Sequence, residues 1–585
     1  MEKFFEVYRR DSEEGGQKNM YEELIQKLNP KPKFNLKWYK NDDLYSEGEI
    51  EDYIMKLIGE NSPEDFVEKI YNNFSWSTYY HLTHLRKNIL NWYPFNKDGE
   101  VLEIGCGLGA ITNMLCDKCK KVTSVELSRK RATSALLRCR NRENLEIIVG
   151  NLNDIDFDKK YDYITLIGVL EYQGSYTDSD NPYLDFLKKI KGLLKPNGKL
   201  LIAIENQYGL KYWCGAAEDH TGLPFVGMNQ YEISSKKVRT FSKNGLEQLI
   251  KESGFLHTYF YYPMPDYKLP TVIYSQDYLP KNENMQNVKS YYVPNASTLV
   301  AQEEKMYKDI IDNQVFEFFA NSFLVECTDD EIVGEVTFAS LSSERLEEYR
   351  IGTRIKKEGV VEKFALSEEI GNRHLLQILE NEKAIQKRNL GVWESNFVDN
   401  VLSSKYTTAQ LVESLVLDAC MNKEKDTVYK VFDWLYDEII KSSDIVSWED
   451  NIIYTFNLDT ERNEKKYGPI LKVGYLDMIL RNVFVIEEKL YWFDQEWTLE
   501  NIPAKFVLYR AISQFYKSFP YVKKCISLEE IAMHYSLIEV WDCFNKLEEL
   551  FIQSVLDVKH FTEANSFRGS KQEVCVGNIK KLINI

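Results

Sequence analysis

Apolar residues in the first half of the chain form short blocks that alternate with stretches of helical spacing. Residues 101–104 form one block, the glycine-rich segment 105–109 follows it, and a helical pattern begins at Ala110. A second apolar block ends at Glu126. Short continuous apolar blocks are typical of strands that are buried on both faces. The pattern therefore predicts a doubly wound α/β domain over residues 76–280.

The glycine-rich segment predicts a ligand-binding loop. Gly105, Gly107 and Gly109 permit a tight turn and allow a ligand to approach the backbone closely. Glu126 follows Gly105 by 21 residues, a position from which a carboxylate can accept hydrogen bonds from ribose hydroxyls. A loop of this kind binds a phosphate or a nucleoside.

Two nucleoside ligands fit this loop. With Ala110, the first two glycines also match the G-x-G-x-x-A form of a dinucleotide site. Glu103 lies two residues before Gly105, where its carboxylate can face the cationic methionyl end of S-adenosylmethionine (SAM). Glu103 and the continuing strand pattern of residues 145–205 favour SAM.

On these residues the sequence resembles the class I SAM-dependent methyltransferases. The resemblance assigns residues 150–154 to the adenine side of the cofactor and residues 162–167 to the fourth strand. Asn151 stands where many relatives carry an acid. The cofactor-binding residues that the resemblance implies are Glu103, Gly105, Gly107, Gly109, Glu126, Asn151, Leu152 and Gly168.

The segment after the fifth predicted strand, residues 205–222, concentrates acids, an amide, aromatics and a histidine. Ligands of doubly wound sheets bind beyond the carboxyl ends of the strands. His220, beside Asp219, could act as a general base, or contact an anion when protonated. The alternative is a solvated histidine in a capped loop. Methyl transfer needs a base only when the acceptor carries a proton, so the cofactor loop is the stronger prediction.

The second half of the chain has a different pattern. Residues 321–326, 336–339 and 360–366 are predicted strands, and the last of them contains Lys363. Residues 368–388 have helical spacing. A strand lysine followed by a helix with glutamates is one part of the constellation that phosphoryl-transfer enzymes use.

The remaining part of that constellation follows later in the chain. Asp477 and Asn482 form a D-x-x-x-x-N motif, and Asp494 lies at the end of a later predicted strand. In this interpretation Lys363 binds the α- and β-phosphates and Asp477 accepts the proton of the substrate hydroxyl. Asn482 and Asp494 would hold Mg²⁺.

Two features of the second half are less determined by sequence. The helix glutamate that orients the lysine is assigned to Glu380 on spacing, with Glu382 and Glu369 as alternatives. A glycine-rich phosphate loop is absent, so residues 340–350, which include Arg345, would cover the nucleotide.

The two halves together resemble the bacterial bifunctional methyltransferase–kinases of surface polysaccharide, of the O-antigen chain-terminator type. The resemblance covers roughly residues 76–280 and 321–516. It implies an α/β Rossmann-like SAM methyltransferase domain followed by an α+β protein-kinase-like domain. The implied cofactors are SAM and ATP with Mg²⁺. The implied partners are a glycan or glycolipid acceptor and the glycosyltransferases of a polysaccharide assembly complex.

In such proteins the kinase phosphorylates a terminal sugar and the methyltransferase then caps the phosphate. The long C-terminal coiled coil of the chain terminator is missing, since residues 527–560 lack sustained heptads. Chain-length measurement is therefore not implied. The expected domains are an N-terminal helical extension (1–75), the methyltransferase domain (76–280), a helical connector (281–320), the kinase-like domain (321–520) and C-terminal helices (521–585).

Composition limits the partners and the compartment. The net charge of −17 argues against nucleic-acid binding and against polybasic attachment to a membrane. No apolar run is long enough to span a bilayer, and the N-terminus lacks the apolar core of a signal peptide. Cytoplasmic localisation is expected, with peripheral association at the inner membrane face as an option. Cys116-x-x-Cys119 lacks a second pair and is interpreted as incidental.

Two alternatives to the bifunctional enzyme remain open. In one, the methyltransferase acts on a sugar hydroxyl or small metabolite and the kinase fold is catalytically silent. In the other, both halves are binding modules that scaffold glycosyltransferases.

Overall fold

The computed structural model describes residues 22–40, 48–62, 65–72, 74–176, 179–232, 237–281, 296–558 and 576–581. The chain divides into two compact units. The first comprises Met1–Ser340 with Thr562–Ile585, and the second comprises Leu341–Phe561.

The first unit is built on one sheet. Its first six strands are parallel and lie in the order β1-β4-β3-β2-β5-β6, and four antiparallel strands continue the sheet in the order β9-β7-β8-β10. The strands are β1 (Lys33–Trp38), β2 (Glu100–Ile104), β3 (Lys121–Glu126), β4 (Leu145–Gly150), β5 (Tyr161–Ile167), β6 (Leu194–Glu205), β7 (His257–Met264), β8 (Val272–Ser275), β9 (Ser322–Thr328) and β10 (Val336–Leu341).

Helices connect the strands of this sheet, as expected for a doubly wound domain. Ser128 caps one of them by accepting a hydrogen bond from the backbone N–H of Arg131, and Ser242 caps another through Gly245. The helices are α1 (Glu49–Glu60), α2 (Phe66–Asn72), α3 (Trp76–Leu82), α4 (Ala110–Lys118), α5 (Arg129–Arg138), α6 (Pro182–Gly192), α7 (Leu210–Trp213), α8 (Lys243–Glu252), α9 (Tyr307–Asp312) and α10 (Phe316–Phe319).

The predicted domain boundary at residue 321 differs from the structure. All seven residues of β9 are buried, and the strand lies between β6 and β7 of the first unit. Residues 321–340 therefore complete the sheet of the first unit and do not start the second unit. The boundary was misplaced because an apolar strand after a polar connector gives no local sign of the sheet that it joins.

The N-terminal segment is more than a helical extension. The strand β1 pairs in parallel with β4 at the edge of the sheet, with Lys33 opposite Glu146. The helices α1, α2 and α3 pack with α5 in one apolar cluster of the first unit. This cluster includes Ile54 of α1, Leu82 of α3 and Leu137 of α5. Residues 1–21 lie outside the described residues.

The second unit begins with an antiparallel sheet in the order β11-β12-β15-β14, against which α11 packs. Two smaller sheets, β13-β20-β19-β16 and β17-β18-β21, lie among the later helices. The strands are β11 (Ile351–Lys356), β12 (Val360–Ala365), β13 (Gly391–Val392), β14 (Ser395–Val398), β15 (Val401–Lys405), β16 (Gln410–Leu411), β17 (Ile445–Val446), β18 (Ile470–Tyr475), β19 (Val483–Ile486), β20 (Lys489–Trp492) and β21 (Thr498–Pro503).

The later part of the second unit is mainly helical and encloses a large apolar core that contains Phe432, Trp492 and Phe515. The predicted C-terminal domain from residue 521 is divided in the structure, because residues up to 558 belong to this unit and residues 576–581 belong to the first. The helices are α11 (Glu368–Gln386), α12 (Val412–Met421), α13 (Lys425–Lys441), α14 (Ile452–Thr455), α15 (Glu464–Tyr467), α16 (Ala504–Ser518), α17 (Leu528–His534) and α18 (Trp541–Val555).

Within the described ranges, no helix has both the length and the apolar character that crossing a membrane requires.

Candidate active site

The glycine-rich loop joins β2 to α4 and opens onto a cavity. Gly105 and Gly109 have φ angles of 77° and 78°, in the left-handed region that disfavours other residues. A Cβ atom on Gly109 would lie 2.8 Å from Cα of Ala135, so this glycine allows the loop to pack against α5. A Cβ atom on Gly107 would meet no atom within 4 Å, and the loop therefore presents its backbone to open space there.

Glu103, at the end of β2, is buried and lines the cavity. Its Oε2 accepts hydrogen bonds of 2.7 Å from the hydroxyls of Thr112 and Ser124. Burial raises the pKa of Glu103 to about 7, although these two hydrogen bonds act in the opposite direction. A cationic ligand group in the cavity would favour the ionised carboxylate.

Glu126, at the end of β3, is also buried and lines the cavity. Its two carboxylate oxygens accept backbone N–H groups of Gly107 and Ser128, at 2.8 and 3.1 Å. Each carboxylate oxygen can accept a further hydrogen bond, so the residue retains the capacity to bind ribose hydroxyls. These contacts also fix the middle of the glycine loop relative to β3.

The other predicted cofactor residues lie at the same cavity. Asn151, Leu152 and Gly168 all line it. The side chain of Asn151 accepts a hydrogen bond of 2.9 Å from the N–H of Asn153 and so holds the turn after β4. Gly168 has a φ of 70°, and a Cβ atom there would lie 2.9 Å from the hydroxyl oxygen of Tyr267. Seven of the eight predicted cofactor residues therefore line one cavity, and Gly109 completes the loop beside it.

The cavity has a volume of about 340 Å³, within the range of small-molecule sites. Beyond the cofactor loop it is bordered by aromatic, acidic and basic side chains from several loops. These include Tyr80, Arg86, Glu171, Tyr172, Glu205, Asp219, His220, Tyr267 and Lys268.

His220 lies in this polar part of the cavity. Its Nδ1 is 3.1 Å from the hydroxyl oxygen of Tyr172, and its Nε2 is 3.6 Å from Oε2 of Glu205. Burial alone would lower the pKa of His220, but the carboxylates of Glu205, Glu171 and Glu218 raise it to about 9. The histidine is therefore part of a buried cluster and is not the solvated loop histidine of the alternative interpretation.

Two carboxylates of this cluster, Glu171 and Glu205, were not assigned a role from the sequence. Glu171 lies in the short turn that follows β5, and Glu205 is the last residue of β6. Both lie at the carboxyl ends of parallel strands, where ligands of such sheets bind. Their position at the strand ends was the sequence feature that could have identified them as site residues. Neighbouring polar residues share that position, so it did not single them out.

Two lysines face these acids. Lys268 pairs with Glu205 and Asp219, and the fully buried Lys211 lies 2.9 Å from Asp219 and 3.7 Å from Asp266. Burial would raise the pKa of Asp219, but Lys211 and Lys268 hold it well below its usual value.

The second unit brings several predicted residues together. Nζ of Lys363 on β12 lies 2.6 Å from Oδ1 of Asp494. Asp494 has a φ of 57°, which is uncommon for a residue other than glycine and occurs often at functional sites. Nδ2 of Asn482 donates to the backbone carbonyl of Asp477 at 3.2 Å, so these two residues also lie together.

The structure places Glu382, and not the predicted Glu380, on the side of α11 that faces Lys363. Glu380 is exposed on α11, whereas Glu382 is buried and interacts electrostatically with Lys363 and Asp494. Burial raises the pKa of Glu382 to about 7. Two residues apart on an α-helix means about 200° of rotation, so only one of the two can face the sheet. The side chain of Glu369, another alternative, lies outside the described residues.

Asp477 has a structural contact as well as its predicted catalytic role. Its Oδ2 accepts the backbone N–H groups of Glu496 and Trp497, at 3.1 and 3.2 Å. Burial raises its pKa to about 7. Asp477 therefore fixes the segment that follows Asp494.

A buried cluster around Glu496 was not predicted. Its carboxylate accepts hydrogen bonds from Arg345 and from Nε2 of His374, and Lys363 lies 3.7 Å away. Arg345 thus lies near Lys363, although sequence alone gave it only a place in the segment covering the nucleotide. The three partners come from distant parts of the chain, which explains why spacing did not reveal them.

Comparisons with known proteins agree with the first site. The family described as "Methyltransferase domain" matches residues 102–202. A malonyl-[acyl-carrier protein] O-methyltransferase of Priestia megaterium is 29% identical over 124 residues, which cover 21% of this chain and 42% of that protein. An uncharacterized methyltransferase of Staphylococcus carnosus is 32% identical over 114 residues, covering 20% of this chain and 51% of that protein.

The structure of a SAM-dependent methyltransferase from Thermotoga maritima is also similar to this chain, with 16% sequence identity and a TM-score of 0.27. The match covers 46% of this chain and 100% of that protein. The chain spans about half the length of the curated relatives or less. The assignment therefore concerns the domain around the matched residues. The glycine loop, the two buried carboxylates that line the cavity and the family match place residues 102–202 in a class I SAM-dependent methyltransferase domain, with SAM as its cofactor.

Proposed function

We propose that this protein methylates an oxygen acceptor with SAM and that its second unit transfers phosphate from ATP to a glycan or glycolipid. One chain would then both phosphorylate and methylate a surface-polysaccharide intermediate. The methyl-transfer half rests on one observation, the cavity that joins the glycine loop to the cluster of Glu171, Glu205 and His220.

The cavity chemistry supports a polar acceptor. When bound, SAM supplies a methyl group on a cationic sulfur, which an acceptor oxygen can attack. Tyr172, His220 and Lys268 border the cavity and provide hydrogen-bond donors for an acceptor hydroxyl or phosphate. An apolar acceptor would shield these polar groups from water and offer them no hydrogen bond, at a cost in binding free energy.

The phosphoryl-transfer half rests on the pairing of Lys363 with Asp494. In ATP-dependent kinases such a lysine contacts phosphates and such an aspartate holds Mg²⁺. Glu382 lies near both side chains, and Asn482 lies beside Asp477. This arrangement supports ATP with Mg²⁺ as the second cofactor, held by Asn482 and Asp494.

The acceptor, the partners and the location come from the resemblance to bifunctional enzymes of surface polysaccharide. The proposed acceptor is a glycan or glycolipid, and the proposed partners are glycosyltransferases of an assembly complex. The proposed location is the cytoplasm, including the inner face of the membrane. The net charge of −17 gives no support to a nucleic-acid substrate.

A second candidate is a methyltransferase on a sugar hydroxyl or small metabolite with a silent kinase fold. One observation favours it. Asp477, the predicted base, uses Oδ2 to hold two backbone N–H groups, which is a structural task.

Titration calorimetry of the full chain with SAM and then with Mg²⁺–ATP tests the proposal. We expect two independent sites. Gly105→Arg should abolish SAM binding alone, because a Cβ atom at Gly105 would already lie 2.6 Å from Cγ2 of Val169. Asp494→Asn should abolish Mg²⁺–ATP binding alone. Unchanged SAM binding in Gly105→Arg would overturn the site, and a wild-type chain that binds no ATP would favour the silent-kinase candidate.

A further inference from the structure

Glu171, Glu205 and His220 form the group of metal-ligand side chains that the described part of the chain brings together. One ligand atom from each residue lies within 4.8 Å of the other two. All three residues line the cavity that contains the cofactor loop. Carboxylate oxygens with one imidazole nitrogen suit divalent cations such as Mg²⁺ and Mn²⁺.

The two carboxylates have oxygens that face the cluster without a hydrogen-bond partner. Glu171 is 1% exposed and Glu205 is 0% exposed, and Oε2 of each is buried with no partner at hydrogen-bond distance. Nε2 of His220 lies 3.6 Å from Oε2 of Glu205, which is longer than a hydrogen bond. An unsatisfied buried carboxylate oxygen costs free energy unless a cation or donor reaches it. Two such atoms facing one cavity indicate a ligand that the protein is built to receive.

Contacts behind the cluster orient these atoms toward it. Oε1 of Glu205 accepts the hydroxyl of Tyr267 at 3.2 Å and pairs with Lys268, which leaves Oε2 on the side of His220. Nδ1 of His220 lies 3.1 Å from the hydroxyl of Tyr172, so its Nε2 faces Glu205. Metal-binding histidines are commonly held in this way through their other ring nitrogen.

The charges around the cluster also favour a cation. The cations that face it are Lys268 and Lys211, and both already pair with Asp219. Further carboxylates lie close by: Oε2 of Glu218 accepts the N–H of His220, and Asp266 lies 3.7 Å from Lys211. Carboxylates therefore outnumber the lysines around the cluster.

We infer that Glu171, Glu205 and His220 bind a divalent cation of the Mg²⁺ or Mn²⁺ type in the methyltransferase cavity. Three protein ligands leave coordination positions open for water and for an oxygen of the acceptor. The cation would hold a sugar hydroxyl or a phosphate oxygen beside the cofactor loop. This role rests on the proposed methyl transfer, whereas the binding of the cation does not.

Titration of the full chain with Mn²⁺, followed by electron paramagnetic resonance without nucleotide, tests the site. We expect Glu171→Gln and His220→Asn each to weaken one Mn²⁺ site by at least about tenfold, the lower end of the effect of altering a metal site. Pulsed spectra of the wild-type complex should show coupling to a histidine nitrogen, and His220→Asn should remove it. Any Mn²⁺ bound in the second unit would be unaffected by these variants.

Glu326→Gln is the matched control, because Glu326 is an equally buried carboxylate of the first unit that does not line the cavity. It should bind Mn²⁺ like the wild type. S-adenosylhomocysteine binding, measured by calorimetry, should persist in Glu171→Gln and show that the variant is folded. A Mn²⁺ site that survives both ligand variants, or a wild-type chain without a site that they remove, would overturn the inference. Failure of S-adenosylhomocysteine to bind the wild type would instead contradict the proposed function.

Discussion

SAM binding should tighten as the pH rises from 6 to 8, because the ionised form of Glu103 is the one that can face a cationic ligand. Burial raises the pKa of this carboxyl to about 7, against hydrogen bonds from Ser124 and Thr112. Glu126 raises the pKa further, and Arg86 lowers it. The carboxyl is therefore mainly protonated at pH 6 and mainly ionised at pH 8.

The size of the effect follows from proton linkage. One unit below its pKa, an acid is about tenfold more populated in the protonated form. If SAM binds only the ionised form, the apparent Kd at pH 6 should be about tenfold weaker than at pH 8. Binding at pH 6 should release about one proton per SAM, and binding at pH 8 should release almost none.

Calorimetric titrations with SAM at pH 6, 7 and 8, each in two buffers of different ionisation enthalpy, give both the Kd and the number of protons released. Glu103→Gln should bind SAM weakly and without the pH dependence. Glu100→Gln is the control, since Glu100 lies on the same strand but is only partly buried and pairs with Lys159. A wild-type Kd that stays constant with pH, or a dependence that persists in Glu103→Gln, would refute the reasoning.

Three further outcomes are expected. Gly109→Ala should lower the free energy of unfolding by about 2–4 kcal/mol in urea titrations, because the methyl group meets Ala135 and the left-handed backbone is strained; wild-type stability would contradict this. Glu382→Gln should weaken Mg²⁺–ATP binding by about tenfold in calorimetry while Glu380→Gln leaves it unchanged, and equal effects would count against the burial argument. Asp477→Asn should lower the rate of ATP turnover by about 100-fold or more with little change in the Kd for ATP; an unaffected rate would exclude it as the base.

Features that depend on local sequence could be predicted. The strand, glycine loop and helix from Val101 to Lys118 follow from an apolar block, glycines at left-handed positions and a helical pattern. Glu103 and Glu126 could be placed because the ends of adjacent parallel strands meet at one edge of a sheet. Their burial, and the pKa that it gives Glu103, depend on packing that spacing does not specify.

Features that depend on long-range contacts could not be predicted. The strand β9 joins its sheet more than 100 residues after β6, and its composition would suit many sheets. Glu380 and Glu382 differ by helix phase, which only the position of the sheet beneath α11 decides. The cluster of Glu171, Glu205 and His220 forms because the end of β6, the turn after β5 and a later loop meet at one edge of the first sheet.

Both candidate sites hold a carboxylate against a lysine, the buried Glu205 with Lys268 and the partly buried Asp494 with Lys363. Desolvation offsets most of the attraction in such pairs, so they are weak sources of stability, whereas removing one partner costs about 3–5 kcal/mol. A fold gains little from keeping these charges, and their position beside predicted ligand-binding residues therefore favours a functional reason. For the same reason, a loss of binding after replacement of either lysine could not be distinguished from unfolding. Carboxylate-to-amide changes keep the shape of the site and remove one negative charge, which makes them the more decisive test.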